Sequence, residues 1–216
     1  MSNFIIGVLA TLTGSILIVL ISYLSKSGRK ILTRALGKLI DIDIVATYPS
    51  SRHAQDSVIQ SLNKAKSVKL YMGRGNELQR ETFDSLLSNP KKTESVQLLL
   101  PATKVSSECT NWALSREKEV MKFDSVFKEG ILLKQIDTVV DFVSHVFSNH
   151  ENFELRRFNT PHLGKIILTE HDAYYYYMAT ASHGRENTMY KVLSGSNTYS
   201  HLNRVFETIW NESNAV

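Results

Sequence analysis

A short glycine-containing stretch carries the residue types of an anion site. Gly73-Arg74-Gly75-Asn76 follows an apolar run and precedes a segment with helical periodicity. Free backbone amides at a helix start, together with the Arg74 guanidinium and the Asn76 amide, are suited to hold a phosphate or another anion. Arg52, at the start of an earlier helix, is a further candidate anion ligand. The stretch lacks the pattern of a Walker loop, so an ordinary strand-to-helix turn is the alternative interpretation.

The histidines and the cysteine do not have the spacing of a metal site. No pair among His162, His171, His183 and His201 is four residues apart as on one face of a helix, and Cys109 is the only cysteine. The sequence therefore predicts no metal and no other cofactor. A single cysteine also excludes an internal disulfide, which agrees with a reducing cytosolic compartment.

Strands that alternate with helices are predicted to position these residues. Wholly apolar or alternating runs predict strands, and apolar residues three and four apart predict helices. The predicted strands are 68–72, 96–100, 131–136, 153–158, 165–169 and 173–178, and the predicted helices are 54–65, 77–87, 107–128, 138–147 and 199–210. This order predicts an α/β fold, with a mixed sheet covered by helices on both faces.

Four consecutive tyrosines, Tyr174 to Tyr177, fall in the last predicted strand. Because side chains alternate across a strand, two rings should face the core and two should face outward. Tyrosine has a high β-propensity, which explains the run as an ordinary strand. A platform for an aromatic ligand is the alternative.

Residues 4–24 form a run of twenty-one residues without a charge. As a helix this run is about 31 Å long, which matches the hydrocarbon core of a bilayer. A cleaved signal peptide is the alternative, but no basic side chain precedes the run and no clean cleavage site follows it. The sequence therefore predicts an uncleaved signal-anchor. Ala10 and Gly14 give it a small-residue face that would allow two spans to associate.

The charges beside this run predict its orientation and the domain boundaries. Five cations follow the span, namely Lys26, Arg29, Lys30, Arg34 and Lys38. Cations beside a span are retained on the cytoplasmic side. We therefore expect a single-pass inner (plasma) membrane protein, with its N-terminus outside and its C-terminal domain cytoplasmic. The predicted parts are a transmembrane anchor at 1–25, a basic juxtamembrane segment at 26–47 and a cytosolic domain at 48–216.

The chain has a net charge of +4, but five of its cations lie between residues 26 and 38, so the rest of the chain is close to neutral. General nucleic-acid binding needs a spread of cations over the domain, so it is not expected. The basic segment fits anionic lipid headgroups and topology instead.

Two blocks of sequence resemble a single phospholipase D-like domain. The first, SRHAQDSVIQSLNKAKSVKLYMG, is a helix that leads into a strand. The second, PHLGKIILTEHDAYYYYMATAS, is followed by NTYSHLNRVFETIWNES, in which Phe206 and Trp210 form an aromatic pair. The resemblance covers most of residues 50–213. It implies the mixed α/β fold predicted above and a phosphodiester-directed site that contains Lys165.

The catalytic motif of that family is degenerate in this chain. Alignment on Lys165 places Leu163 where the family has its nucleophilic histidine, and Glu170 at the acidic position. His162 lies three residues before Lys165, so on a strand it would face the opposite side. The preceding Thr160-Pro161 leaves a loop conformation open, in which His162 could be recruited.

Three functions follow from these observations. The first is a membrane-anchored, non-hydrolytic module of a bacterial cell that binds a phosphate-bearing ligand or a protein partner in signalling or phage defence. Its ligand-binding residues would be Arg74, Asn76, Lys165 and Arg52. The second is an active homodimeric phosphodiesterase, a nuclease or phospholipase, with His162, Lys165 and Glu170 as catalytic residues. The third is an effector whose spans assemble in the membrane.

Overall fold

The computed structural model describes residues 15, 43–83, 86–87, 92–106, 108–161, 163–178 and 183–215. The chain divides into two compact units, Met1–Val45 and Ala46–Val216. The second unit contains nearly all of the described residues. The predicted span at 4–24 lies outside the described residues except for Ser15. None of the helices in the described ranges combines the length and hydropathy needed to cross a bilayer.

A mixed sheet of eight strands forms the centre of the fold. The strands are β1 (Ile44–Tyr48), β2 (Ser67–Tyr71), β3 (Ser95–Pro101), β4 (Phe153–Phe158), β5 (Gly164–Thr169), β6 (Asp172–Tyr177), β7 (Met189–Leu193) and β8 (Asn214–Ala215). Their order across the sheet is β1-β7-β6-β5-β2-β3-β4-β8. The neighbours β2, β3 and β4 run parallel, whereas β5 runs antiparallel to both β2 and β6. The structure therefore has the predicted mixed α/β architecture.

Helices cover the two faces of this sheet. They are α1 (Gln55–Leu62), α2 (Trp112–Phe123), α3 (Ile131–Val146) and α4 (Asn197–Glu212), with short 3-10 helices at Asn76–Gln79, Glu81–Phe83 and Gly184–Glu186. Alternation along β2 sends Val68 and Leu70 to the core beneath α1 and α3, while Tyr71 joins the core beneath α4. Both faces of the central strands are therefore buried, which explains their nearly continuous apolar sequence.

The tyrosine run follows the same alternation. Tyr174 and Tyr176 lie in the core under α1 and α3, and Tyr175 lies in the core under α4. Tyr177, on the same face as Tyr175, is 63% exposed. Three of the four rings are thus buried, because the sheet is covered on both sides at this point.

The predicted strand at 131–136 is wrong, because these residues begin α3. The run Ile131-Leu132-Leu133 looks like a buried strand, but Leu132, Ile136 and Val139 recur with helical spacing and are buried together. Gly130 has a φ of 83° at the helix N-cap. The buried Glu117 carboxylate accepts hydrogen bonds from the amides of Gly130 at 2.9 Å and Leu132 at 2.7 Å, and so caps the helix.

Other boundaries also differ from the prediction. The helix predicted at 77–87 begins as two 3-10 turns, and the helix predicted at 107–128 is limited to Trp112–Phe123. The Asn111 side chain, which accepts from the Leu114 amide at 3.0 Å, sets that later start. Three strands were not predicted: β1, at the end of the predicted basic segment 26–47, β7 and β8.

Candidate anion-binding site

A cavity of about 260 Å³ lies beside the carboxyl ends of the parallel strands β2, β3 and β4. This is the edge at which ligands bind in open α/β sheets. The loop after β2, helices α2 and α3, the start of β5, the end of β6 and the 3-10 turn at Gly184–Glu186 all contribute walls. Its charged lining residues are Arg74, Glu77, Arg80, Arg116, Asp124, Lys165 and Arg185.

Lys165, on β5, enters the cavity from the sheet. It lies opposite Tyr176 of β6 in the strand register, so both side chains point to the same face. The Lys165 ammonium is almost fully buried, donates to the Glu77 carboxylate and lies 5.7 Å from the centre of the Phe83 ring. Burial alone would raise the pKa of Glu77, but the charge and hydrogen bond of Lys165 lower it below its usual value. The two groups therefore form an ion pair in which the ammonium is buried and the carboxylate is partly exposed.

Arg74 is held in the loop after β2 by contacts with a glutamine and a phenylalanine. Gly75 has a φ of 73°, and a Cβ there would lie 2.8 Å from Val139 Cγ1, so the turn requires glycine. The Arg74 guanidinium donates to Gln135 Oε1 at 3.2 Å and lies over the Phe127 ring at 5.1 Å. Among the described residues, no carboxylate lies within salt-bridge distance of it.

The balance of charge in the cavity is positive. Among the described residues, five cationic side chains line it against two carboxylates. Lys165 pairs with Glu77, and outside the lining Arg116 pairs with Glu119 at 2.9 Å and Arg185 lies 3.9 Å from Glu186. Burial lowers the pKa of the Arg74 guanidinium, and the positive charges of Arg116 and Arg185 lower it further. Guanidinium groups that repel one another in a shared cavity are stabilised by a bound anion.

The Tyr176 hydroxyl is a further donor in this cavity. Tyr176 is only 6% exposed, and its hydroxyl makes no hydrogen bond within the described part of the chain. Burial, and then the negative charge of Glu77, raise its pKa far above the usual range. The group is therefore a neutral O–H donor at any physiological pH. Gly184 lets it approach, because a Cβ there would lie 2.3 Å from the Tyr176 hydroxyl oxygen.

Among the described residues, His183 is the histidine that reaches the cavity. His183 Nε2 lies 3.1 Å from Asp124 Oδ2, and both side chains line the site. The His183 ring also meets the edge of Phe123 at 5.3 Å between centroids. A carboxylate beside an imidazole fixes the orientation and tautomer of the ring, an arrangement that suits proton transfer.

The residues selected from the sequence divide into three groups. Arg74, Asn76 and Lys165 line this cavity together, and the Asn76 amide lies 3.4 Å from Gln135 Oε1. Arg52 is exposed and is not a lining residue. His162 lies outside the described residues.

Glu170 lies outside the cavity. It follows the far end of β5 and accepts from the backbone amides of Lys66 at 2.9 Å and Ser67 at 3.1 Å. Burial opposes ionisation, but these amides lower the pKa of Glu170 below its usual value. Its position ties the start of β2 to the β5–β6 turn, and it does not line the cavity with Lys165.

Sequence reasoning missed Arg116, Arg185, His183 and Trp112 as cavity residues. No local motif marks them, because they come from α2 and from the segment before β7. The only available signal was indirect: Trp112 and Arg116 are four residues apart and share one face of a helix.

Gly164 offers a test of how closely the strands approach beside Lys165. A Cβ at this position would lie 1.9 Å from the backbone oxygen of Tyr176. We expect Gly164→Ala to lower the free energy of unfolding by about 1–3 kcal/mol, because the backbone of β6 must shift. Urea unfolding measures the effect. The neighbouring Leu163→Ala is the control, since Leu163 is 62% exposed and should change stability by less than about 0.5 kcal/mol.

No protein-family model and no curated protein matches the chain. Solved structures of similar fold include the archaeal chromatin protein TrmBL2, at 10% identity, with a TM-score of 0.49 over all of this chain and 71% of that one. Nuc from Salmonella typhimurium, a phospholipase D family member, is 9% identical with a TM-score of 0.47 over 79% of this chain and 95% of that one. NucT from Helicobacter pylori is 12% identical with a TM-score of 0.45 over 79% and 98%. At these scores the similarity establishes neither a family nor an activity.

Proposed function

We propose that the cavity binds a phosphate-bearing ligand and that the domain does not hydrolyse it. The observation that carries the proposal is the half-buried Arg74, which shares the cavity with Arg116 and Arg185 and has no carboxylate partner among the described residues. Guanidinium groups bind phosphate oxygens in pairs of hydrogen bonds. The hydroxyl of Tyr176, which has no hydrogen-bond partner among the described residues, adds a neutral donor to the same space.

The state of Lys165 supports binding over hydrolysis. In phosphoryl transfer, a lysine stabilises the charge that develops on the phosphoryl oxygens. The Lys165 ammonium is instead neutralised by Glu77. Leu163, which takes the place of the nucleophile in the phospholipase D resemblance, supplies no bond-forming atom.

The test is a measurement of phosphate binding to the full-length chain purified in mild detergent. We expect inorganic pyrophosphate to raise the melting temperature at constant ionic strength, and Arg74→Gln to weaken its affinity at least tenfold. Arg52→Gln removes the same charge outside the cavity and should bind as the unaltered protein does. Equal affinities of the Arg74 and Arg52 variants would refute the assignment of the site.

An active phosphodiesterase is the second candidate, and the His183–Asp124 pair favours it. An oriented imidazole beside several cations is the minimum that acid–base chemistry on a phosphodiester requires. The assay is turnover of bis(p-nitrophenyl) phosphate by the unaltered protein and by His183→Ala, His162→Ala and Lys165→Ala. We expect no turnover. Hydrolysis that disappears in the Lys165 variant and in one of the histidine variants would replace the binding proposal by this one.

We also propose that the span at 4–24 holds the domain at the inner face of a plasma membrane. The support is the uncharged run of twenty-one residues and the five cations that follow it. The full-length chain should remain with membranes after alkaline extraction. A tag after Val216 should resist protease added to intact cells, and its cleavage there would reverse the proposed orientation.

A further inference from the structure

The cavity has two kinds of wall. The cations described above form one part, and the other part is apolar, with the aromatic rings of Trp112, Phe127 and Phe158 among its lining. Phe158 is buried in the core under α4, whereas Trp112 and Phe127 are half-buried. A bare phosphate would use the cations and leave Trp112 and Phe127 without a ligand contact. The volume of about 260 Å³ approaches the lower end of the range for small organic ligands, about 300 Å³.

Helix α2 contributes one residue to the apolar wall and one to the cationic wall, so its geometry sets the distance between them. Trp112 and Arg116 are four residues apart, so they lie one above the other on the same face, about 6 Å apart along the axis. Trp112 is at the first turn of the helix, where the Asn159 side chain accepts from its backbone amide at 3.3 Å. A ligand that contacts both residues must carry a flat apolar group within one helical turn of an anionic group.

The Trp112 ring has a different environment from that of the second tryptophan of the chain, Trp210. Trp210 is buried, stacks on Phe206 at 5.6 Å between centroids and carries Arg156 over its face at 4.5 Å. Trp112 is half-buried, and within the described residues its ring has neither an aromatic nor a cationic partner. Tryptophan rings of this kind are the platforms on which nucleobases stack.

We propose that the ligand of this cavity is a mononucleotide, with its phosphate among Arg74, Arg116 and Arg185 and its base stacked on Trp112. This rests on the proposed function and adds the class of ligand to it. A lipid headgroup shares the phosphate but has no ring for Trp112.

The experiment compares ligands that differ only in the base. Calorimetric affinities of the full-length chain in detergent are measured for AMP, GMP, ribose 5-phosphate, glycerol 3-phosphate and pyrophosphate. We expect AMP or GMP to bind at least tenfold more tightly than ribose 5-phosphate, because stacking on an aromatic ring contributes roughly tenfold or more to affinity. Trp112→Ala should reduce the nucleotide affinity to that of ribose 5-phosphate, and Trp112→Phe should restore most of it.

Tryptophan fluorescence supplies an independent signal, because the chain has only two tryptophans. Nucleotide should quench the emission of the unaltered protein and of Trp210→Phe, but not that of Trp112→Phe. The comparison of AMP with ribose 5-phosphate needs no variant, so it decides the matter even if Trp112→Ala does not fold.

The outcomes separate the two proposals. Pyrophosphate and ribose 5-phosphate that bind as tightly as both nucleotides would overturn the nucleotide assignment and leave the phosphate site intact. Glycerol 3-phosphate that binds as tightly as AMP would overturn it in favour of a lipid headgroup. Failure of every one of these phosphates to bind would overturn the phosphate site and the nucleotide with it.

Discussion

Replacement of Glu77 by alanine is expected to lower the free energy of unfolding by about 3 kcal/mol. The change leaves the Lys165 ammonium, whose side chain is 5% exposed, without its carboxylate partner. Loss of one member of a buried ion pair costs more than the pair itself contributes, because the remaining charge stays desolvated. Urea unfolding at pH 7 measures the loss.

The matched control is Glu94→Ala. Glu94 pairs with Lys66 at 3.1 Å, but both side chains are 71% exposed, so this pair should contribute less than about 1 kcal/mol. A second readout tests the cavity: Glu77→Ala should bind pyrophosphate more tightly than the unaltered protein, because a carboxylate has left the site. Weaker binding in a folded Glu77→Ala protein would contradict the placement of the anion in this cavity.

The same ion pair predicts a dependence on pH. Burial tends to raise the pKa of Glu77, but attraction by Lys165 outweighs it and the pKa lies below the ordinary value of 4.5. A carboxylate with a lowered folded pKa stabilises the protein above its unfolded pKa and ceases to do so as the pH falls through the folded value. The stability difference between the unaltered protein and Glu77→Ala should therefore be constant from pH 8 to about 5 and shrink below about 4.

Asp172→Ala is expected to cost about 3–5 kcal/mol of unfolding free energy. Asp172 is 5% exposed and lies 2.7 Å from the Lys191 ammonium. It also accepts from Ser61 Oγ of α1 at 2.7 Å and from Thr169 Oγ1 at 2.9 Å. The substitution removes one link between α1 and the sheet, while the Tyr174 hydroxyl still bonds Ser57 and Ser61 of α1. It leaves Lys191 with that hydroxyl, at 2.6 Å, but without a carboxylate.

One control variant and one binding measurement isolate the cause of that loss. Glu154→Ala breaks an ion pair of the same length, 2.7 Å to Arg156, in which the glutamate is 48% exposed, and it should cost less than about 1 kcal/mol. None of Asp172, Ser61 and Lys191 lines the cavity, so folded Asp172→Ala should still bind pyrophosphate. A loss of less than 1 kcal/mol in Asp172→Ala would show that the network is not a stabilising one.

The fold could be predicted from the sequence where the spacing of the apolar residues fits a strand or a helix but not both. The strand predicted at 153–158 matches β4, and β5, β6 and α4 lie within two residues of their predicted bounds. The strand predicted at 131–136 was wrong because its short apolar run, Ile131-Leu132-Leu133, fits a strand and a helix equally well. The deciding features, the Glu117 cap and the positive φ of Gly130, depend on tertiary contacts that no local pattern contains.

Of the cavity residues, only those in the loop after β2 and on strand β5 could be selected from the sequence. Arg74, Asn76 and Lys165 were selected from the sequence, and the structure brings them to one cavity; their role as ligands stays a prediction. Arg116 and Arg185 enter from elements that are distant along the chain. Glu170 was selected because of its spacing from Lys165, but six residues of extended strand place the two at opposite ends of β5.

The pairing of β5 with β2 bears on how this protein is made. Ile166 lies opposite Tyr71, a residue 95 positions earlier in the chain. On the ribosome, β2 and β3 emerge long before β5, and the edge of β2 that β5 later covers stays without hydrogen-bond partners in the meantime. A nascent chain that stalls before Gly164 would present this apolar edge to its neighbours, which makes the interval a natural point for chaperone engagement.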